Sequence, residues 1–165
     1  MIAMLTEAQI TTVWEHLIGA ETRALYFADL ATRYTTRKQW ITGLSFFLSS
    51  GAAASIIGQA PPWVPLALAL VVAAASAYTM AGRLDSQIAA LAKLHASWGT
   101  IATRYDRLWN HVYDEDAETE LGVIQDQEHA ASAVAVDAHV PYDAARLDRW
   151  EAHVFAAHQL PGSAS

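Results

Sequence analysis

The feature that most restricts what this chain can fold into is a gap in its charge. From Gln39 through Gly82 there is no Asp, Glu, Lys, Arg or His, although all five types occur freely on both sides. A hydrocarbon layer about 30 Å thick takes about 20 helical residues at about 1.5 Å each, so the interval is long enough for two crossings. Gln59-Ala60-Pro61-Pro62-Trp63-Val64-Pro65 divides it, because three prolines in five residues remove backbone donors and force a turn. The pattern predicts a transmembrane hairpin with spans at about 40–58 and 64–82. Buried core helices are the competing explanation, but those run shorter and keep a polar edge. A signal peptide does not fit, since the first apolar run starts after residue 38 with no charged opening segment.

Basic residues next to a membrane set orientation. Arg33, Arg37 and Lys38 precede the first span and Arg83 and Lys93 follow the second, which predicts cytoplasmic termini. Trp40 and Trp63 fall where indoles favour a lipid interface. With no cysteine, disulfides are excluded. The net charge of −7 comes from the distal part, where Asp114, Glu115, Asp116, Glu118, Glu120, Asp126 and Glu128 gather. Basic near the lipid bilayer and acidic beyond it suits headgroup contact and argues against general duplex nucleic-acid binding.

The flanking segments read as helices. Thr6 with Gln9 forms a capping box that opens a helix running to about Thr32 or beyond. Ile10, Val13, Leu17, Ala20, Ala24, Phe27, Ala31 and Tyr34 form a heptad seam, and Leu91, Leu94, Trp98, Ile101, Tyr105, Leu108 and Val112 form a second. Neither seam can bury itself, so they pack against each other or against neighbouring copies. Further helices are predicted over about 117–138 and 142–158, separated by Pro141. The fold class is therefore all-α: an integral membrane hairpin with a cytoplasmic helical bundle, assembled as a homo-oligomer. Its parts are an N-terminal amphipathic helix over 1–38, the hairpin over 39–83, a stalk over 84–116, a C-terminal sensor region over 117–160 and a tail over 161–165.

Enzymatic chemistry has no visible carrier: there is no phosphate-binding glycine loop and no nucleophile elbow. The seven histidines lack metal-ligand spacing, His153 and His158 being five apart on different helix faces, so neither metal nor cofactor is expected. In the first span, Thr42, Ser45, Ser49 and Ala52 recur every three or four residues and, with Ile56 beyond them, form a stripe suited to lining a pore. The same pattern is accounted for by hydroxyls bonding back to their own helix and by small residues allowing close packing. Two cationic groups suit a phosphate-bearing ligand: Arg104, Arg107 and His111 on one face, and Arg146, Arg149, Trp150 and His153 on another, where the indole offers a stacking surface. Pairing of these arginines with nearby acids such as Asp106 and Asp148 is the plainer explanation.

Arg33-Tyr34-Thr35-Thr36-Arg37-Lys38-Gln39-Trp40, the hairpin, and then Leu94-His95-Ala96-Ser97-Trp98 leading to Tyr105-Asp106-Arg107-Leu108-Trp109 resemble the SLATT family over roughly residues 20 to 113. These are two-transmembrane effectors found beside nucleotide-signalling enzymes in bacterial antiviral defence. The resemblance implies a homo-oligomer, a tetrameric ring by this reading, in the inner membrane of a bacterium. It would form a channel gated by a nucleotide second messenger or short nucleic-acid oligomer made by a companion nucleotidyltransferase, and would arrest or kill the infected cell. A non-conducting membrane anchor that recruits a protein partner, and a holin-like toxin making ungated lesions, are the alternatives.

Overall fold

The computed structural model describes residues 5–49, 61, 63–81 and 84–159. Among them all regular structure is α-helical: α1 (Glu7–Ser49), α2 (Trp63–Ala81), α3 (Leu84–Trp109), α4 (Ala117–Asp137) and α5 (Ala144–Gln159). The chain divides into two compact units, one of Met1–Leu30 with Ala90–Ser165 and one of Ala31–Ala89.

Local chemistry explains where the helices of the first unit start and stop. Thr6 and Gln9 form the reciprocal box: the Gln9 backbone N–H donates to Thr6 Oγ1 at 3.3 Å, and the Thr6 N–H donates to Gln9 Oε1 at 2.8 Å. Glu7 adds negative charge at the positive end of the helix dipole. At the far end of α3, the Asn110 amide donates to the Asp106 carbonyl and the His111 ring to the Arg107 carbonyl, satisfying acceptors that a helix end leaves open. The end of α4 turns on His139, at φ 50°, with its N–H donating to Val136 O and that of Val140 to Ala135 O. Those two bonds make a Schellman closure, with histidine in the left-handed position that glycine normally fills. Asp143 then opens α5 by accepting the Arg146 N–H at 3.2 Å.

The core of this unit joins the second predicted seam to the middle of the first, whose Ile10, Ala31 and Tyr34 are only half-buried. Val13, Leu17, Ala20, Ala24 and Phe27 of α1 are buried, as are Leu91, Leu94, Trp98, Ile101, Tyr105, Leu108 and Val112 from α3 and the turn after it. The pairing is antiparallel. The Trp14 ring meets that of Trp109 at a tilt of 48° with centroids 5.1 Å apart, Arg23 lies over the Trp98 ring, and the His95 ring donates to the Ala24 carbonyl at 2.9 Å. As residue numbers rise on α1 they fall on α3, so each seam fills the other's apolar stripe and gains the burial that neither has alone. α4 adds Ala117, Leu121, Ile124 and Ala131, and α5 adds Val154.

The second unit is held differently. Lys38 Nζ donates to Asp85 Oδ1 at 2.5 Å, and the Arg37 guanidinium lies 5.0 Å from the Tyr78 ring centre. Trp40, Leu44, Phe46, Phe47, Trp63, Leu66, Leu70 and Val71 are all exposed.

This arrangement corrects the membrane hairpin. No helix among the described residues is long and apolar enough to cross a membrane. The first predicted span is not a separate element: its described part, Trp40–Ser49, is the last ten residues of a 43-residue helix that carries charge along its earlier length. The second matches α2, a helix of 19 residues that likewise lacks the length and apolarity a crossing needs. The inner-membrane location and the cytoplasmic placement of the termini rested on those spans and fall with them. Two of the five basic residues read as orientation signals make other contacts, Lys38 in an ion pair and Arg37 on an aromatic ring.

Candidate functional site

The most developed polar centre in the chain lies inside the first unit, on Glu128 of α4. Its carboxylate is 14 % exposed and accepts three hydrogen bonds. His16 Nδ1 lies 2.7 Å from Oε2, the Tyr105 hydroxyl donates to Oε2 at 3.0 Å, and Arg23 donates to Oε1 at 3.0 Å. Helical spacing places each donor: His16 and Arg23 are seven apart on α1 and so share a face, while Tyr105 belongs to the α3 seam. Glu128 follows Leu121 and Ile124 at steps of three and four, which turns it inward with the buried side of α4. One carboxylate thereby ties α4 to both helices of the core.

The electrostatics follow from that geometry. Burial alone would raise the Glu128 carboxyl; the hydrogen bonds from His16 and Tyr105, and the charges of His16 and Arg23, outweigh it and hold the group below its ordinary range. Tyr105 is driven the other way, well above the usual phenol value, by burial first and by the adjacent Glu128 charge second. Its hydroxyl therefore stays a proton donor to the carboxylate. Arg23 is fixed from a second side, its guanidinium 4.6 Å from the Trp98 ring centre. With every oxygen of the carboxylate taken by a donor, the centre is built to fasten helices, and its chemistry is that of an ion-pair clamp.

The two cationic groups behave unlike each other. Arg146 is 14 % exposed and already engaged, donating to Asp29 Oδ2 at 2.9 Å and to Asp143 Oδ2 at 3.2 Å. Arg149 and His153 stand exposed beside half-buried Trp150, whose ring meets His153 edge-on at 5.5 Å. On α3, Arg104 is half-buried, Arg107 is exposed, and His111 is exposed with its ring on the Arg107 carbonyl. In the second unit Thr42 is exposed and Ser45 half-buried on α1. Ser49 ends that helix, and Ala52 and Ile56 lie outside the described residues. An open apolar groove is lined there by Trp40, Ile41, Gly43, Leu44 and Phe47.

Sequence reasoning passed over the Glu128 centre. Its members come from positions 16, 23, 105 and 128, so no spacing within one helix announces them; the one available signal was an acid recurring in step with Leu121 and Ile124. Among the described residues no group of three or more His, Asp or Glu side chains is placed to hold a metal ion. The geometry defines a class, an all-α chain of two helical units, one of them organised round a buried ion-pair clamp. In comparisons with known proteins, no family model, no curated protein and no solved structure matches the chain.

Proposed function

We propose that this chain is a self-assembling helical effector, in which the unit of Ala31–Ala89 joins copies of the chain and the clamped helical unit regulates the assembly. The observation that carries this reading is the exposed apolar surface of the second unit. Trp40, Phe46, Phe47 and Trp63 are 57 to 78 % exposed, and at about 150–250 Å² per aromatic residue they alone leave on the order of 500 Å² open to water. Leu44, Leu66, Leu70 and Val71 are each more than half exposed as well. Monomeric proteins rarely carry a largest apolar patch beyond about 300–600 Å², whereas one side of a stable interface buries about 800 Å².

The occupant that suits this surface is a second copy. The interval from Gln39 to Gly82 has no Asp, Glu, Lys, Arg or His, so it offers nothing to steer a partner of complementary charge and is matched by a surface like itself. The resemblance over residues 20 to 113 supplies the regulatory half of the proposal, a nucleotide or short oligonucleotide as the signal. Exposed Arg107 and His111, or Arg149 with Trp150 and His153, are the groups fitted to meet its phosphates and bases.

Sedimentation of the full chain tests the reading. The expected result is an oligomer at micromolar concentration that Trp40→Ser with Phe47→Ser dissociates while helicity is kept, and a change in its mass or stability with a cyclic nucleotide or oligonucleotide. A monomer at every concentration, or a monomer that instead adsorbs to phosphatidylcholine vesicles, would overturn self-assembly. An oligomer indifferent to every nucleotide would remove the proposed signal.

A further inference from the structure

We propose that α5 is a releasable cover on one face of α1, fastened at its two ends by the Arg146–Asp29 and His158–Glu21 pairs. The proposal does not depend on self-assembly or on the identity of any signal. It begins with how little apolar surface α5 contributes: of its 16 residues Val154 alone is buried. Helices of that length are marginal in water and take their order from tertiary contacts, and beyond buried Val154 and half-buried Leu147 and Trp150 the contacts of α5 are polar.

The contacts sit at the ends. At the start, Arg146 bridges Asp29 of α1 and Asp143, while the Tyr26 hydroxyl donates to the Pro141 carbonyl at 2.6 Å and accepts the Asp143 N–H at 3.2 Å. At the finish, His158 Nε2 lies 2.9 Å from Glu21 Oε2, and its ring meets Trp14 edge-on at 5.2 Å. The helix thus lies antiparallel along α1. Residues Ile18 and Thr22 of α1 fall within the covered register and both are buried.

Thr22 marks the covered face independently. Its side-chain oxygen is buried with no hydrogen-bond partner among the described residues, a desolvation cost in the register of α1 that α5 lies along. The fastenings are polar, an Arg146–Asp29 ion pair with side chains 14 and 23 % exposed and a His158–Glu21 hydrogen bond with side chains 25 and 33 % exposed, and added salt weakens charged contacts that solvent reaches more than apolar packing. What release uncovers is a face of α1 bearing Ile18, Thr22 and Tyr26, with the α1–α3 seam left intact.

Hydrogen exchange of the full chain, read by mass spectrometry, tests this. Arg146→Gln together with His158→Gln is expected to speed exchange of the α5 amides by about tenfold or more, as loss of charge-assisted bonds implies, while α3 and the seam residues of α1 keep their protection. In the unaltered chain, raising sodium chloride from low to molar concentration is expected to do the same to α5, and the double variant is expected to show little further response. Unchanged α5 protection in molar salt would overturn the proposal. So would loss of protection in α1, α3 and α5 together, which would make α5 part of one cooperative core; because the salt arm uses the unaltered chain, it decides the matter even if the variant does not fold.

Discussion

His16 and Glu128 are 112 positions apart in the chain and 2.7 Å apart in the fold, one at the start of α1 and the other deep in α4. That contact, with those of Tyr105 and Arg23, makes the carboxylate a fastening point whose strength depends on its charge.

The first prediction concerns acid. The folded chain holds the Glu128 carboxyl below its ordinary value, so as pH falls the unfolded chain takes up this proton first. The stabilisation is complete above the unfolded value of about 4.3 and disappears as pH drops through the lower folded one. Glu128→Gln is expected to cost about 1.5–3 kcal/mol at neutral pH and to flatten the fall in stability below about pH 5. Urea unfolding of both proteins across that range checks it; parallel pH profiles would mean that the carboxylate is not the acid-sensitive group.

Tyr105 tests whether the clamp acts as a unit. Its hydroxyl is fully buried and donates to Glu128, so Tyr105→Phe is expected to cost about 1 kcal/mol or somewhat more. The same change made in Glu128→Gln is expected to cost measurably less, since the charged acceptor is gone. A double-mutant cycle by equilibrium unfolding gives the coupling, and strict additivity would show the two groups to be energetically separate.

His139 provides a backbone test. It occupies the left-handed region at φ 50° in the closure of α4, where a side chain costs about 1–2 kcal/mol and glycine little. Its ring also contacts the Asp137 carbonyl at 2.8 Å, so the informative comparison is between two variants that both lack the ring. His139→Gly is expected to be more stable than His139→Ala by about 1 kcal/mol, measured by thermal unfolding. Equal stabilities would mean that the turn reshapes.

Periodicity exposed what is local and repeated. Thr6 and Gln9 marked the first helix start, and the burial of Val13, Leu17 and Ala24 against Leu94, Trp98 and Tyr105 follows from two stripes that each needed a partner. Predicted helices over 117–138 and 142–158 meet α4 and α5 to within two residues. Absence of charge was the signal that misled. It measures what a segment excludes and says nothing of where a helix ends, so Trp40–Ser49 was separated from the α1 helix to which it belongs. The Glu128 clamp was invisible for the opposite reason, because its four members lie on three helices and pattern along a chain does not encode which faces meet.

The antiparallel closure of α1 on α3 also has a consequence during synthesis. Trp14 waits for Trp109 and Ala24 for His95, so the apolar stripe of α1 leaves the ribosome long before its complement exists. At about 5–20 residues per second the delay is on the order of 5–20 s. For that interval Val13, Leu17 and Phe27 have no native surface to rest on, and the apolar stripe of α1 stands open to whatever surrounds the newborn chain.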